Sequence, residues 1–247
     1  MHALTTTFVR RLRDRDDAAW FELWEVFGPV MRAQLSRWGG GMVGAETVRD
    51  LTQDTLAALS TSIDRYDPTR GARFSTWLLA IAKHALGDEL DRRNALKRGG
   101  GKRPAALDER YMGEAATLAA DAHYERAVFR AKVHAAIRKV EQEADFLHFQ
   151  VYRMRVFEGI QGKDVAAQLG VSPPTVTRHL QRVRQLLRSR LAETMATYSF
   201  TPEEEAEADA AGLGGDDAMF DDAIADLYHE QIRLLDEDRA VGDSAAF

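Results

Sequence analysis

The 247-residue chain has no cysteine, which excludes disulfides, thiolate metal ligands and cysteine nucleophiles together. It has no long uninterrupted apolar run, so no segment reads as a membrane span. No stretch alternates apolar and polar residues with period two, which removes β-strands and leaves an all-α expectation. The seven histidines, at 2, 84, 123, 134, 148, 179 and 229, include no i, i+4 ligand pair. There is also no P-loop or other glycine-rich phosphate cradle. Acid pairs such as Asp16-Asp17 and Asp221-Asp222 fall in segments that read better as a helix start and a tail. The expectation is therefore a protein with no catalytic residue, no metal site and no cofactor. The opening MHALTTTFVRRLRDRDDAAWFELW sets its arginines among acids without an apolar run. It does not read as a secretion signal, and a cytoplasmic protein is the default.

What is present is an uneven charge. The formal net charge is −6, but residues 199–247 hold 15 acids against only Arg233 and Arg239. Residues 1–198 hold 31 Lys and Arg against 24 acids. A basic body therefore carries an acidic tail, and a phosphate-rich partner becomes more attractive for the body.

Helical periodicity organises the body. Trp20, Trp24, Phe27, Met31, Leu35 and Trp38 recur at intervals of three and four over about 16–38, and Gly39-Gly40-Gly41 ends that helix. A second helix over about 45–63 turns Leu56, Leu59 and Ile63 inward and Asp50, Gln53, Asp54 and Ala57 outward. A turn-rich stretch, Asp64–Gly71, follows. Ser75 is then expected to cap a helix with Trp77, Leu78, Ile81, Ala82 and Ala85 facing in and a basic end at Arg92–Arg98. Residues 96–124, with Gly99-Gly100-Gly101 between basic pairs, read as a flexible linker. A second helical unit spans 125–198, and beyond Pro202 the Glu-, Asp-, Ala- and Gly-rich composition predicts a largely disordered acidic tail over 199–247. One amphipathic helix is expected inside that tail, with Phe220, Ile224, Leu227, Tyr228 and Leu235 as its apolar face.

The most specific local signal runs from about 163 to 188. Val165, Ala166 and Leu169 form the inner face of a short helix, and Ala166 is small where a second helix must cross closely. Gly170 supplies the positive φ of a sharp turn, Val171 plugs the corner, Ser172 is placed as N-cap and Pro173 fits the first helical position. The second helix buries Val176, Leu180, Val183 and Leu187. Its opposite face carries Thr175, Arg178, Gln181, Arg182 and Gln185 with no acid among them. Arginine can bridge guanine O6 and N7, glutamine can pair with adenine, and threonine suits a phosphate or a thymine methyl. This is a helix-turn-helix suited to a major groove.

With the two helical units side by side, the chain resembles a sigma-70 family initiation factor of the small extracytoplasmic-function type. Asp50-Leu51-Thr52-Gln53-Asp54-Thr55-Leu56 is similar to the family's region 2.2. Phe74–His84, followed by Asp88 and Arg92-Arg93, is similar to regions 2.3 and 2.4. Phe149–Gly159 resembles region 4.1, and the helix-turn-helix resembles region 4.2. The resemblance implies a region 2-like domain over 1–95, a linker over 96–124, a region 4-like domain over 125–198 and an extra acidic extension over 199–247. It implies a non-enzymatic factor that binds core RNA polymerase, reads promoter DNA and promotes strand opening. Asp50, Gln53 and Asp54 would meet the clamp helices of the polymerase largest subunit, where an acidic, amide-bearing face suits arginines. Arg65, Tyr66, Arg70, Arg73, Lys83, His84, Asp88 and Arg92 would serve the minus-ten element, with planes for unpaired bases and charges for phosphates. Phe74 and Trp77 read as core. Ser172, Thr175, Thr177, Arg178, Gln181, Arg182 and Gln185 would read the minus-thirty-five duplex. The chain departs from the family at Lys83-His84, where Arg-Asn is usual, so an amide contact does not carry over to the imidazole. The basic stretch Lys97–Arg103 lies where the family threads a segment through the polymerase cleft, a role that stands beside that of a plain tether. The acidic tail reads as a solubilising segment, a built-in regulator or a docking site. An anti-sigma factor or this tail is the further partner to be considered. The alternative reading is a helix-turn-helix regulator that acts without polymerase.

Overall fold

The computed structural model describes residues 3–67, 73–97 and 122–244. Among these every regular element is helical, as the missing two-residue period predicts. The expected linker lies outside the described residues from 98 to 121, and so does Arg70. The chain divides into two compact units, built mainly from residues 5–128 and 129–237.

The first unit contains α1 (Ala3–Arg13), α2 (Asp17–Gly39), α3 (Ala45–Ser62), α4 (Phe74–Lys97) and the start of α5 (Ala122–Glu143). Asp16 caps α2 by accepting from the Ala18 and Ala19 amides, and Gly40 closes it in the left-handed region at φ 49°. The buried stripe of α2 is Ala19, Leu23, Val26, Phe27, Val30, Met31 and Leu35. It is rotated from the expected one, and Trp20, Trp24 and Trp38 flank it half-buried. The indole gives the reason: Trp20 Nε1 donates to the Leu12 carbonyl at 3.1 Å, and the Trp24 ring lies 5.1 Å from the Arg32 guanidinium. Both tryptophans need a polar partner at the core's rim. In α3, Leu59 and Ile63 are buried as expected. Thr52 and Thr55 are buried as well, their hydroxyls returned to the Val48 and Leu51 carbonyls at 2.6 and 2.7 Å.

Ser75 does not cap α4. The helix begins at Phe74, and the Arg73 carbonyl already accepts from the Trp77 amide at 3.1 Å. The Ser75 hydroxyl instead donates to the Glu125 carboxylate at 2.9 Å.

The second unit contains the rest of α5, then α6 (Phe146–Tyr152) running into a wider π turn at Arg153–Phe157. It continues with α7 (Gly162–Leu169), α8 (Pro173–Tyr198), α9 (Pro202–Ala210) and, as far as Glu237, α10 (Asp217–Ser244). Its core draws Phe129, Ile137 and Val140 from α5, Tyr152 and Phe157 from the α6 segment, and Val183, Leu187, Leu191 and Met195 from α8. Phe220 and Ile224 of α10 complete it, both fully buried.

The tail thus differs from the largely disordered segment its composition predicts. The anticipated amphipathic helix is present as α10, and α9 precedes it behind a capping box between Thr201 and Glu204. The physical reason is pairing: Lys132 Nζ meets Glu204 Oε1 at 3.0 Å with both side chains about 1 % exposed, and Arg130 meets Glu230 at 3.2 Å. Tyr228 stacks on Phe157 with centroids 4.0 Å apart. The acids that forbid folding of the tail alone find bases on α5 and α8.

Candidate nucleic-acid interface

The helix-turn-helix is built as its residues require. α7 ends at Gly170, whose φ of 65° lets its amide bond back to the Ala166 carbonyl, and the Val171 amide bonds there at 3.0 Å. Val165, Ala166 and Val176 are buried together with Val151 and Met154, and Ile160, Leu169, Val171 and Leu180 pack against them. Pro173 and Pro174 open α8 with no amide to leave unsatisfied. Ser172 stands at the N-cap position in extended conformation, but its side chain caps no backbone amide. Its Oγ lies 2.8 Å from Thr175 Oγ1, which also accepts from Arg178 Nη2 at 3.1 Å. Ser172, Thr177, Arg178, Gln181, Arg182 and Gln185 are exposed and Thr175 is half-buried, so the turn and one face of α8 collect all seven. Beside them the His148 and His179 rings lie 4.2 Å apart. Burial, then the neighbouring His148, lowers the His179 pKa from its ordinary value, which favours the neutral ring.

In the first unit, Asp50, Gln53, Asp54 and Ala57 are exposed along α3. Asp54 also borders a groove of about 510 Å³ between α3 and α4, floored by Leu51, Ala58, Ile81 and Ala85 and edged by Asp88, Glu89 and Arg92. Lys83 is exposed and His84 half-buried on α4. Arg92 is exposed but paired, its Nε 2.7 Å from Glu89 Oε2, and Arg93 takes the same carboxylate at 2.6 Å. These bonds, that of Arg92 first, hold the Glu89 carboxyl below its usual range. Arg65 is exposed.

Tyr66 requires a correction. The sequence offers its ring to an unpaired base, but it is 3 % exposed. It stacks on Trp77 at 4.9 Å and meets Phe74 edge-on at 5.3 Å. An apolar ring beside two buried aromatics gains more from the core than from solvent. The Tyr66 carbonyl accepts from Arg13 Nη2 at 2.5 Å, which pins the start of the loop.

Arg73 stands at the far end of that loop with its Nη1 3.2 Å from Glu125 Oε2. The same carboxylate takes both the Ser75 and Thr76 hydroxyls, a buried negative charge at the N-terminus of α4. Glu125 was not singled out by sequence, because its partners lie about fifty residues away and no local period marks it.

A basic-faced helix-turn-helix on one unit, with a second helical unit that exposes an acidic face, defines a DNA-binding transcription protein. The chain matches two family models in the expected order, Sigma-70 region 2 over residues 27–95 and Sigma-70, region 4 over residues 149–187. The chain thus carries two regions of the sigma-70 family, and these matches support a sigma factor of the extracytoplasmic-function type. That family consists of DNA-binding initiation factors that act in promoter recognition with core RNA polymerase. No curated protein matches the chain. Among the described residues no helix is long and apolar enough to cross a membrane.

Proposed function

We propose that this chain binds core RNA polymerase through Asp50, Gln53 and Asp54 of α3, holds the minus-thirty-five duplex with α8, and opens DNA at the minus-ten element with α4 and the loop before it. The observation that carries this reading is the pairing of two exposed faces of opposite character, each inside a matched sigma-70 region. The acidic face suits an arginine-rich partner helix. The α8 face suits base edges, because its Arg and Gln side chains are exposed and free of acidic neighbours on that face.

For the minus-ten element the proposal rests on Arg65, Arg73, Lys83, His84, Asp88 and Arg92, with Tyr66 acting as the buried support of the loop. Arginine planes and the imidazole provide surfaces for unpaired bases, and Lys83 and Arg92 provide charge for phosphates. Reconstituted run-off transcription on genomic fragments tests the whole reading. The chain with core polymerase is expected to start transcripts that core alone does not. A chain that binds duplex DNA but neither co-migrates with core nor starts transcripts would instead be a regulator acting without polymerase.

A further inference from the structure

Residues 129–198 hold twelve Lys and Arg against six acids, whereas residues 199–237 hold thirteen acids against Arg233 alone. The extension therefore reverses the charge of the very unit that carries the helix-turn-helix. It does so without touching the reading residues, for Arg178, Gln181, Arg182 and Gln185 stay exposed.

Its carboxylates close instead on Arg184. Asp221 takes the Arg184 Nε at 3.0 Å and its Nη2 at 2.6 Å, and Asp217 takes Nη1 at 2.6 Å. All three guanidinium nitrogens are engaged, and the side chain is only 12 % exposed. Asp221 is itself fixed by the Tyr152 hydroxyl at 3.0 Å. One turn further on, Arg188 lies over the Phe220 ring at 4.1 Å and donates to the Gly215 carbonyl at 3.0 Å. By helical position both arginines sit on the flank of α8, between its buried stripe and its reading face. A helix seated in a major groove meets phosphates along its flanks, and such contacts bind every sequence alike.

We propose that Asp217 and Asp221 are specificity-determining residues of the duplex-reading unit: they withhold Arg184 from DNA phosphates and so suppress sequence-independent binding while leaving the base-reading face open. The assignment rests on the duplex-reading role of α8. It makes the extension a selective charge cover that lies beside the reading face and not across it.

The test uses the full chain and a 30-base-pair duplex of random sequence as probe, with affinity followed by fluorescence anisotropy over a salt series. Asp217→Asn with Asp221→Asn keeps side-chain size and an acceptor for Tyr152. It is expected to bind the random duplex several-fold more tightly at low salt, with the log–log salt slope steeper by about one contact. Adding Arg184→Gln should return both values to wild type. Asp217→Asn alone, at a side chain 60 % exposed, leaves the fold intact and should move the same quantities part of the way. Folded single and double variants with unchanged slope would overturn the proposal, and so would a gain that Arg184→Gln fails to reverse. Failure of the duplex-reading role is seen separately, as wild-type binding to promoter duplex that Arg178→Ala with Arg182→Ala leaves unaltered.

Discussion

Arg178 and Arg182 lie one turn apart on the exposed face of α8, and each can present two parallel donors to a guanine edge. Arg178→Ala and Arg182→Ala should each weaken binding to the upstream promoter element, with a base-specific contact costing about 1–3 kcal/mol. Affinity for core polymerase, measured by co-migration or anisotropy, should stay near wild type in both. Asp50→Ala with Asp54→Ala should give the reverse pattern, because those carboxylates face solvent on α3. His134 makes a different residue-scale claim. Burial, and then Arg138, lowers its pKa to about 4 from an ordinary value near 6.5. The unfolded chain therefore takes up this proton first as pH falls, and stability present above about pH 6.5 is lost progressively towards pH 4. The loss reaches up to about 2 kcal/mol at pH 5. Urea midpoints at pH 7 and 5 should differ less in His134→Gln than in wild type; an equal difference would remove His134 from the account.

At the scale of elements, local pattern was informative wherever a helix makes its own case. The three- and four-residue spacing located α2 and α3 to within a residue or so, and the Ala166–Ser172 turn located the crossing of α7 and α8. Pattern also extends beyond that signal: Leu187, Leu191, Met195 and Tyr198 continue the buried stripe, so α8 runs on past residue 188 to Tyr198. Long-range pairs were not legible. Glu125 and Glu204 look like any other acids in sequence, yet one gathers Arg73, Ser75 and Thr76 and the other neutralises a buried lysine. Composition counts charges but cannot see which charge each will meet, and this is why the tail's acids read as disorder. The Lys132–Glu204 pair turns that lesson into a measurement. Glu204 also accepts from the Phe200 and Thr201 amides at 2.9 and 3.0 Å. Glu204→Ala leaves a buried ammonium without its counter-charge and should cost about 3–5 kcal/mol. Lys132→Met with Glu204→Gln, which keeps an acceptor for those amides, should recover most of that loss. Chemical denaturation of the two variants checks both signs.

For the molecule as a whole, the question is what residues 199–237 contribute to the second unit, to which they belong. A detachable inhibitor would leave a sound helix-turn-helix domain when cut away, with stronger promoter binding as the result. The packing argues otherwise. Phe220 and Ile224 are fully buried among Tyr152, Phe157, Val183 and Leu187, and each large apolar side chain so buried contributes about 1.5–3 kcal/mol. Removal would expose that apolar floor and release Lys132 and Arg184 together. A chain ending at Tyr198 should therefore melt at lower temperature or with lost cooperativity in its second unit, and should bind promoter duplex more weakly than the full chain. Calorimetry and duplex titration of the truncated and full chains decide it. A truncated chain equal in stability and stronger on promoter DNA would restore the inhibitor. The expected result makes truncation unsuitable for testing the charge cover, since deletion removes the cover and part of the core in one step. Only substitutions that keep α10 in place, such as those at Asp217 and Asp221, separate what the extension holds together from what it holds back.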